Sequence, residues 1–567
     1  MNYVELFAGC GGLSLGLKSI GGKMLLANEL SPMAGQTFAY NLLDEDLADL
    51  AETVAVSKLP MKTKWLSSRH GLDNLLARLS ENPQEYPKLE DGVCDLPSDG
   101  VGLQGSLVIG SVVELNKWFN EEKNKSALDL LKSGFGQGNI DLVSGGPPCQ
   151  SFSMAGMRQY SNSRNVLPWE FAKFVQLAQP KFALLENVTG ILHPFMVEDK
   201  KIYAWFEVAQ AFSQIGMEKN EQSCGYVPLC LHINAKFAGV AQNRPRFIML
   251  CIRKDVYDKL KESLPENDRA ILNLSKKFFD KIRANEPVKL EDLPMHDVDK
   301  NPSMFVDTFL CGLVNCPPVS VEDAIDDLRM PPMTASVYVE KINKDLGSGL
   351  ADVAMENHDY RKHGIEVKRR FRIYQILNKV PAESASAALK ILKRKKVTLS
   401  DGAWTDLSKH AFYINQNEAF SKFDTKSELE NFLMDHQTGK HSQKALIASM
   451  PAPAALSIPD DMCHYHEHRD NLRTLTVREM ARIQSFPDRF IFRSKTTTGG
   501  AQRKYEVPQY TQVGNAVPPL LGRALGNIVR NLLTIYKSQP VNEIIAATAV
   551  SGAHNVQSPL GLQSQNM

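Results

Sequence analysis

Four short stretches hold side chains whose types and spacing could do chemistry. In Gly145-Gly146-Pro147-Pro148-Cys149-Gln150-Ser151-Phe152-Ser153, two prolines stiffen the chain just before a thiol. Proline fixes φ, so Cys149 would be presented at a strand end with little entropy left to lose. Alone, such a cysteine reads first as a buried residue in a stiff turn. Glu186-Asn187-Val188 places a carboxylate at another apparent strand end, where it can point into a cleft. Gln242-Asn243-Arg244-Pro245-Arg246 offers two guanidinium groups suited to phosphate or to developing negative charge. In Phe7-Ala8-Gly9-Cys10-Gly11-Gly12, Gly9 and Gly11 permit a tight turn with room beside the backbone. Glu29 follows 18 residues after Gly11, where a carboxylate can accept from both hydroxyls of a ribose. This spacing suits an adenosine-type cofactor and does not separate a dinucleotide from S-adenosylmethionine. Ser14 stands where a dinucleotide fingerprint would have its third glycine.

These groups need elements to carry them. Val4-Glu5-Leu6-Phe7 reads as a strand, Leu13, Leu15 and Leu17 as the start of a helix, and Met24–Ala27 as a second strand. Leu107–Ile109, Ile140–Ser144, Phe182–Leu185 and Phe247–Ile252 read as further strands, with a helix over 169–178. Strands alternating with helices predict a parallel α/β sheet. Residues 44–105, acidic and carrying Pro60, Pro83, Pro87 and Pro97, read as an insertion between sheet elements. The alternation is lost over 255–472, which reads as a second domain. It returns with helices near 476–485 and 516–537, and the tail from 541 reads as flexible.

Composition narrows the classes. The chain has 567 residues, 43% hydrophobic and 23% charged, which excludes wholesale disorder and a small cysteine scaffold. No apolar run approaches the roughly 20 residues of a membrane span, and no secretory leader is evident. The nine cysteines are scattered, which suits reduced thiols in the cytoplasm. Net charge is only +1, yet residues 361–396 hold twelve Lys or Arg against two acids. That local field suits phosphate contact, and equally a solvated helix face. Phe371, Tyr374, Trp404, Phe412 and Tyr413 nearby read as core. The run Cys463-His464-Tyr465-His466-Glu467-His468 reads as an ordinary strand in preference to a metal cluster, and no metal is expected.

Taken together and in this order, the stretches resemble the DNA cytosine-5 methyltransferase family, of the prokaryotic restriction–modification type. Leu475–Pro487 matches that family's ninth motif and Gln512–Pro518 its tenth. The resemblance covers residues 1–43, 107–252 and 473–535. It implies a Rossmann-like, S-adenosylmethionine-dependent sheet over 1–254, with a smaller target-recognition domain over 255–472. Residues 473–540 would return to the catalytic domain. It implies Cys149 as the nucleophile toward cytosine C6, with Glu186, Arg244 and Arg246 as catalytic partners. Phe7, Ala8, Gly9, Gly11, Glu29, Ser111, Pro147 and Asn515 would line the S-adenosylmethionine pocket. One departure stands out: the family's third motif carries Gly-Asp-Ile, and Gly110-Ser111-Val112 stands here.

The resemblance further implies double-stranded DNA as substrate, a flipped target base, and a monomer near the nucleoid, with a cognate endonuclease acting separately. Gln150, Ser153, Lys368, Arg369, Arg370 and Arg372 are the expected DNA contacts. Methylation of RNA cytosine is the nearest alternative, but the long recognition segment argues against it. A binding-only relative should lack Cys149, Glu186 or Arg246. A nicotinamide oxidoreductase would leave the proline-flanked cysteine unexplained.

Overall fold

The computed structural model describes residues 1–52, 61–148, 167–197, 200–219, 224–413, 419–440, 442–454 and 462–538. Cys149, Gln150, Ser153 and the tail from 541 lie outside the described residues.

Apolar runs with β-branched residues form the sheet. Its strands are β1 (Asn2–Leu6), β2 (Lys23–Glu29), β3 (Thr63–Trp65), β4 (Ser106–Ile109), β5 (Leu142–Gly145), β6 (Phe182–Val188), β7 (Tyr226–Asn234), β8 (Pro245–Arg253) and β9 (Met295–Asp297). Among the described residues their order is β9-β7-β8-β6-β5-β1-β2-β4-β3. The six strands from β3 to β6 run parallel, while β8 is antiparallel to both neighbours. β1, β5 and β6 are buried along almost their whole length, as expected of strands covered on both faces.

This topology gathers the chemistry at one edge. Parallel strands all end on the same side, and β1 sits where the chain order reverses, which opens a crevice there. The reversal of β8 brings its beginning to that edge, so Arg246 lies opposite Val188 at the end of β6.

Helices cover both faces. α1 (Gly12–Lys18) and α2 (Pro32–Phe38) follow β1 and β2. α3 (Val112–Asn120), α4 (Leu167–Ala178) and α5 (Ala204–Gln214) build one face with Trp118, Phe171, Phe174 and Phe212. The segment read as an insertion at 44–105 supplies an edge strand, since β3 pairs with β4. Residues beyond 254 also pack on the sheet. α6 (Lys254–Ser263) and α7 (Glu266–Arg283) bury Val256, Tyr257, Leu260 and Phe279 in the sheet's other core, and β9 pairs with β7.

Further on, α8 (Ile365–Leu377) and α9 (Ala382–Leu392) build a separate core around Phe371, Ile391, Phe412 and Leu429. The C-terminal part returns as α10 (Val477–Ile483), α11 (Gln509–Asn515) and α12 (Pro519–Lys537). α12 lies on α1 so closely that a Cβ at Gly16 would stand 2.4 Å from the Pro519 carbonyl oxygen.

Candidate active site

The first glycine turn joins β1 to α1. Phe7 and Gly9 both adopt positive φ, 55° and 56°, and the former is uncommon outside glycine. The Ala8 amide donates to Asn28 O at 2.9 Å, and the Gly9 amide to Glu29 Oε2 at 2.8 Å. The other carboxylate oxygen, Oε1, accepts from Ser31 N at 2.8 Å. Glu29 therefore ties the turn to the end of β2, and each oxygen keeps a further lone pair. Burial raises its pKa above the usual carboxylate range, and the backbone N–H groups work against that. A Cβ built at Gly9 would meet nothing within 4 Å, so the turn leaves open space on that side.

Behind the turn lies a group that the motif reading passed over. Glu5 is 2% exposed on β1 and accepts a hydrogen bond from the Ser14 hydroxyl, which in turn accepts from Tyr3 Oη at 3.2 Å. Ser14 thus partners a buried carboxyl where a dinucleotide fingerprint would have glycine. Burial pushes Glu5 up to about 8.

Ser111 caps α3, its hydroxyl accepting from Val113 N at 3.2 Å. Asn28 braces the same corner through Val108 O at 3.0 Å and Gly110 O at 2.9 Å. Opposite, the end of β5 leads into the proline turn. Asn187 Nδ2 donates to Pro147 O at 2.8 Å, and a Cβ at Gly146 would lie 3.0 Å from Glu186 Oε2. Glu186 is therefore held against the segment that leads to Cys149.

Arg246 Nε lies 2.7 Å from Glu186 Oε1, as a charge contact and not a well-aligned hydrogen bond. Burial draws the Arg246 pKa down, opposed by the Glu186 carboxylate. Arg244 faces elsewhere. It is 2% exposed and donates to Gly514 O at 3.0 Å and Ala516 O at 2.9 Å. The sequence placed both arginines among the catalytic groups, but the Arg244 guanidinium is engaged by main-chain carbonyls. Those carbonyls flank Asn515, which is exposed at the end of α11. The following segment meets the glycine turn, since a Cβ at Gly12 would stand 2.3 Å from Val517 O.

The DNA contacts expected on α8 fare differently. Arg372 is 5% exposed and donates to Ala411 O at 2.8 Å and Glu467 Oε1 at 2.7 Å, with its guanidinium 4.8 Å from the Phe420 ring centre. Expected to meet DNA, Arg372 instead clamps its own core. Lys368, Arg369 and Arg370 are half-buried, and Arg369 pairs with Glu366 at 3.1 Å. Arg394, Lys395 and Lys396 are exposed. Phe371, Tyr374 and Phe412 lie in the core, as their sequence suggested.

His464 is fully buried, with Nδ1 accepting from His466 N at 3.0 Å and Nε2 3.7 Å from Glu479. Burial holds it down at about 3, so it is neutral at ordinary pH. No group of three or more His, Cys, Asp or Glu among the described residues is placed to hold a metal ion. No described helix is long and apolar enough to cross a membrane.

The glycine turn at the switch point and the acid–arginine pair beside the proline turn share one end of a mostly parallel α/β sheet, where such folds bind their ligands. The profile of the C-5 cytosine-specific DNA methylases matches residues 1–65, 115–314 and 335–530. The chain belongs to that family and is a DNA (cytosine-5-)-methyltransferase. It is 25% identical to the Type II methyltransferase M.DdeI of Desulfomicrobium norvegicum, over 93% of this chain and 87% of the relative. It is 24% identical to the Type II methyltransferase M.Bpa9945I of Bacillus paralicheniformis, over 94% and 99% respectively. Among solved structures, the Dnmt2 methyltransferase of S. pombe aligns over 94% of this chain and 98% of its own, with 11% identity and a TM-score of 0.37.

Proposed function

We propose that this enzyme methylates C5 of cytosine within a short specific sequence of double-stranded DNA, through a transient Cys149–C6 bond to a flipped base. The observation that carries this reading is the Glu186–Arg246 pair, 2.7 Å apart at the strand ends, with Glu186 beside Gly146, three residues before Cys149.

Cytosine C5 is a poor nucleophile. Attack of the Cys149 thiolate on C6 makes C5 enamine-like. Glu186 would hold the N3 and amino edge of the base, and Arg246 would fix the carboxylate and meet charge on the ring. S-adenosylmethionine, when bound, supplies the electrophilic methyl group. Loss of the C5 proton then lets Cys149 leave as thiolate. A base inside a duplex cannot reach these groups, so it must be extruded.

Glu29, with its remaining lone pairs, suits the ribose hydroxyls, and the open side of Gly9 leaves room for the rest of the cofactor. Phe7, Ala8, Gly11, Pro147 and Asn515 would line that pocket. Ser111 already caps α3 and would offer at most a neutral contact. Arg244 would act as a positioning residue. We place target recognition on the separate core built by α8 and α9. Names of relatives such as M.DdeI suggest a restriction–modification setting, with a separate endonuclease.

Duplex DNA carrying 5-fluorocytosine at the target tests the covalent step, because fluorine cannot leave as the C5 proton does. The expected result is a denaturation-stable adduct with the wild type and none with Cys149→Ser. A wild type that turns over normal DNA yet forms no adduct would overturn the covalent route.

A further inference from the structure

Asn234, the last residue of β7, was not singled out by any motif, and the activity described above assigns it no part. It is 3% exposed. Its amide oxygen accepts from Arg244 N at 3.0 Å and Lys236 N at 3.3 Å. Its amide nitrogen donates to Asn243 Oδ1 at 2.7 Å and Asp299 Oδ2 at 3.4 Å. The next residue completes the grip, because Ala235 N donates to Arg244 O at 3.0 Å. Both edges of Arg244 are thus pinned by Asn234 and Ala235.

Arg244 is the junction between the two halves of the site. Its guanidinium holds the carbonyls on either side of Asn515. Two residues later Arg246 meets Glu186. Pro245 between them has a fixed φ and passes the placement on with little slack. A buried amide using all its hydrogen-bonding groups has essentially one orientation, so the loop it caps has one too.

We infer that Asn234 is a positioning residue that sets Arg244, and through it registers the base-holding pair Glu186–Arg246 against the cofactor-side turn at 514–516. This rests on the methyltransfer reading given above. A residue that only stabilised the fold would alter melting without altering the chemical step. A residue that registers the site must act on kcat, since misplacement of about 1 Å can cost about a hundredfold in rate.

The full-length chain tests this with Asn234→Ala and with the double variant Asn234→Asp/Asp299→Asn. The double variant keeps both acceptors toward Arg244 N and Lys236 N. It restores a donor–acceptor pair with residue 299, in the opposite sense, and Asn243 can turn its amide to donate. Measured quantities are melting temperature, S-adenosylmethionine affinity without DNA, and kcat and KM on unmethylated duplex DNA. The expected result for Asn234→Ala is a folded protein with kcat down by about 10- to 100-fold and a KM for DNA within about threefold of wild type. The double variant should recover at least about tenfold of that loss. Folded Asn234→Ala with wild-type kcat would overturn the inference. So would a folded double variant as slow as the alanine variant, and that arm decides the matter should Asn234→Ala fail to fold. A wild type inactive on DNA would instead refute the underlying reading, which separates the two failures.

Discussion

Glu29 shows how much one side chain does at this site. Both its oxygens hold the backbone that shapes the turn, so removing it should harm cofactor binding in two ways. Glu29→Ala is expected to raise KM for S-adenosylmethionine by about 10-fold or more, in line with a lost charged hydrogen bond. An unchanged KM in steady-state assays would place the ribose elsewhere. Glu5 makes a different prediction. Its folded pKa of about 8 lies above the ordinary 4.5, so the native state holds a proton that the unfolded chain has released. Stability from this group is full below about pH 4.5 and is lost as pH rises through 8. Glu5→Gln should remove that decline while keeping an acceptor for Ser14. Denaturant midpoints across pH 5 to about 9 check it: wild type and variant should differ in slope, and parallel curves would contradict the assignment. Of the candidate residues, Glu29, Glu186 and Arg246 were legible because their motifs bring them to strand ends. Asn234 was not, since its partners at 243, 244 and 299 meet it only after the sheet has formed. Arg244 looked like a twin of Arg246, and alternation along an extended segment turns neighbours two apart to the same side. The break before Pro245 removes that symmetry.

At the scale of elements, the strands that read clearly were those with short, mostly apolar runs: β1, β2, β4, β5, β6 and β8. β3 and β9 have three residues each, too few for any periodicity to register. Their pairing comes from tertiary contact, which local pattern does not contain. The burial of Arg372 within the basic stretch at 361–396 was illegible for a related reason. Charge counts do not show which side chains turn inward, and Arg372 sits on the buried side of α8 among Phe371, Ile373 and Tyr374. Arg372→Ala should therefore destabilise the protein by about 2 kcal/mol, from lost hydrogen bonds and stacking over Phe420. It should leave the salt dependence of DNA affinity unchanged. Charge reversal of the exposed Arg394, Lys395 and Lys396 should weaken DNA binding and flatten its salt slope by about one for each lost phosphate contact. Equal slopes for wild type and the reversed loop would remove that loop from the interface.

For the whole molecule, the defining feature is that distant stretches of chain meet at one edge of one sheet. The C-terminal helix α12 covers α1, and the 514–517 turn closes on the glycine turn and on Arg244. The architecture was readable because the motifs themselves fix the direction of the strands. The course of residues 255–472 was not, because no α/β rhythm marks where the sheet ends and the separate core around Phe371 and Ile391 begins. Purified protein should be incubated with methyl-labelled S-adenosylmethionine and unmethylated duplex DNA, beside an equal amount of RNA, and the modified base mapped. Label is expected on C5 of cytosine, in DNA only, at one short sequence, and none with Cys149→Ser. Label in RNA, on another base atom, or undiminished in Cys149→Ser would contradict the proposed reaction.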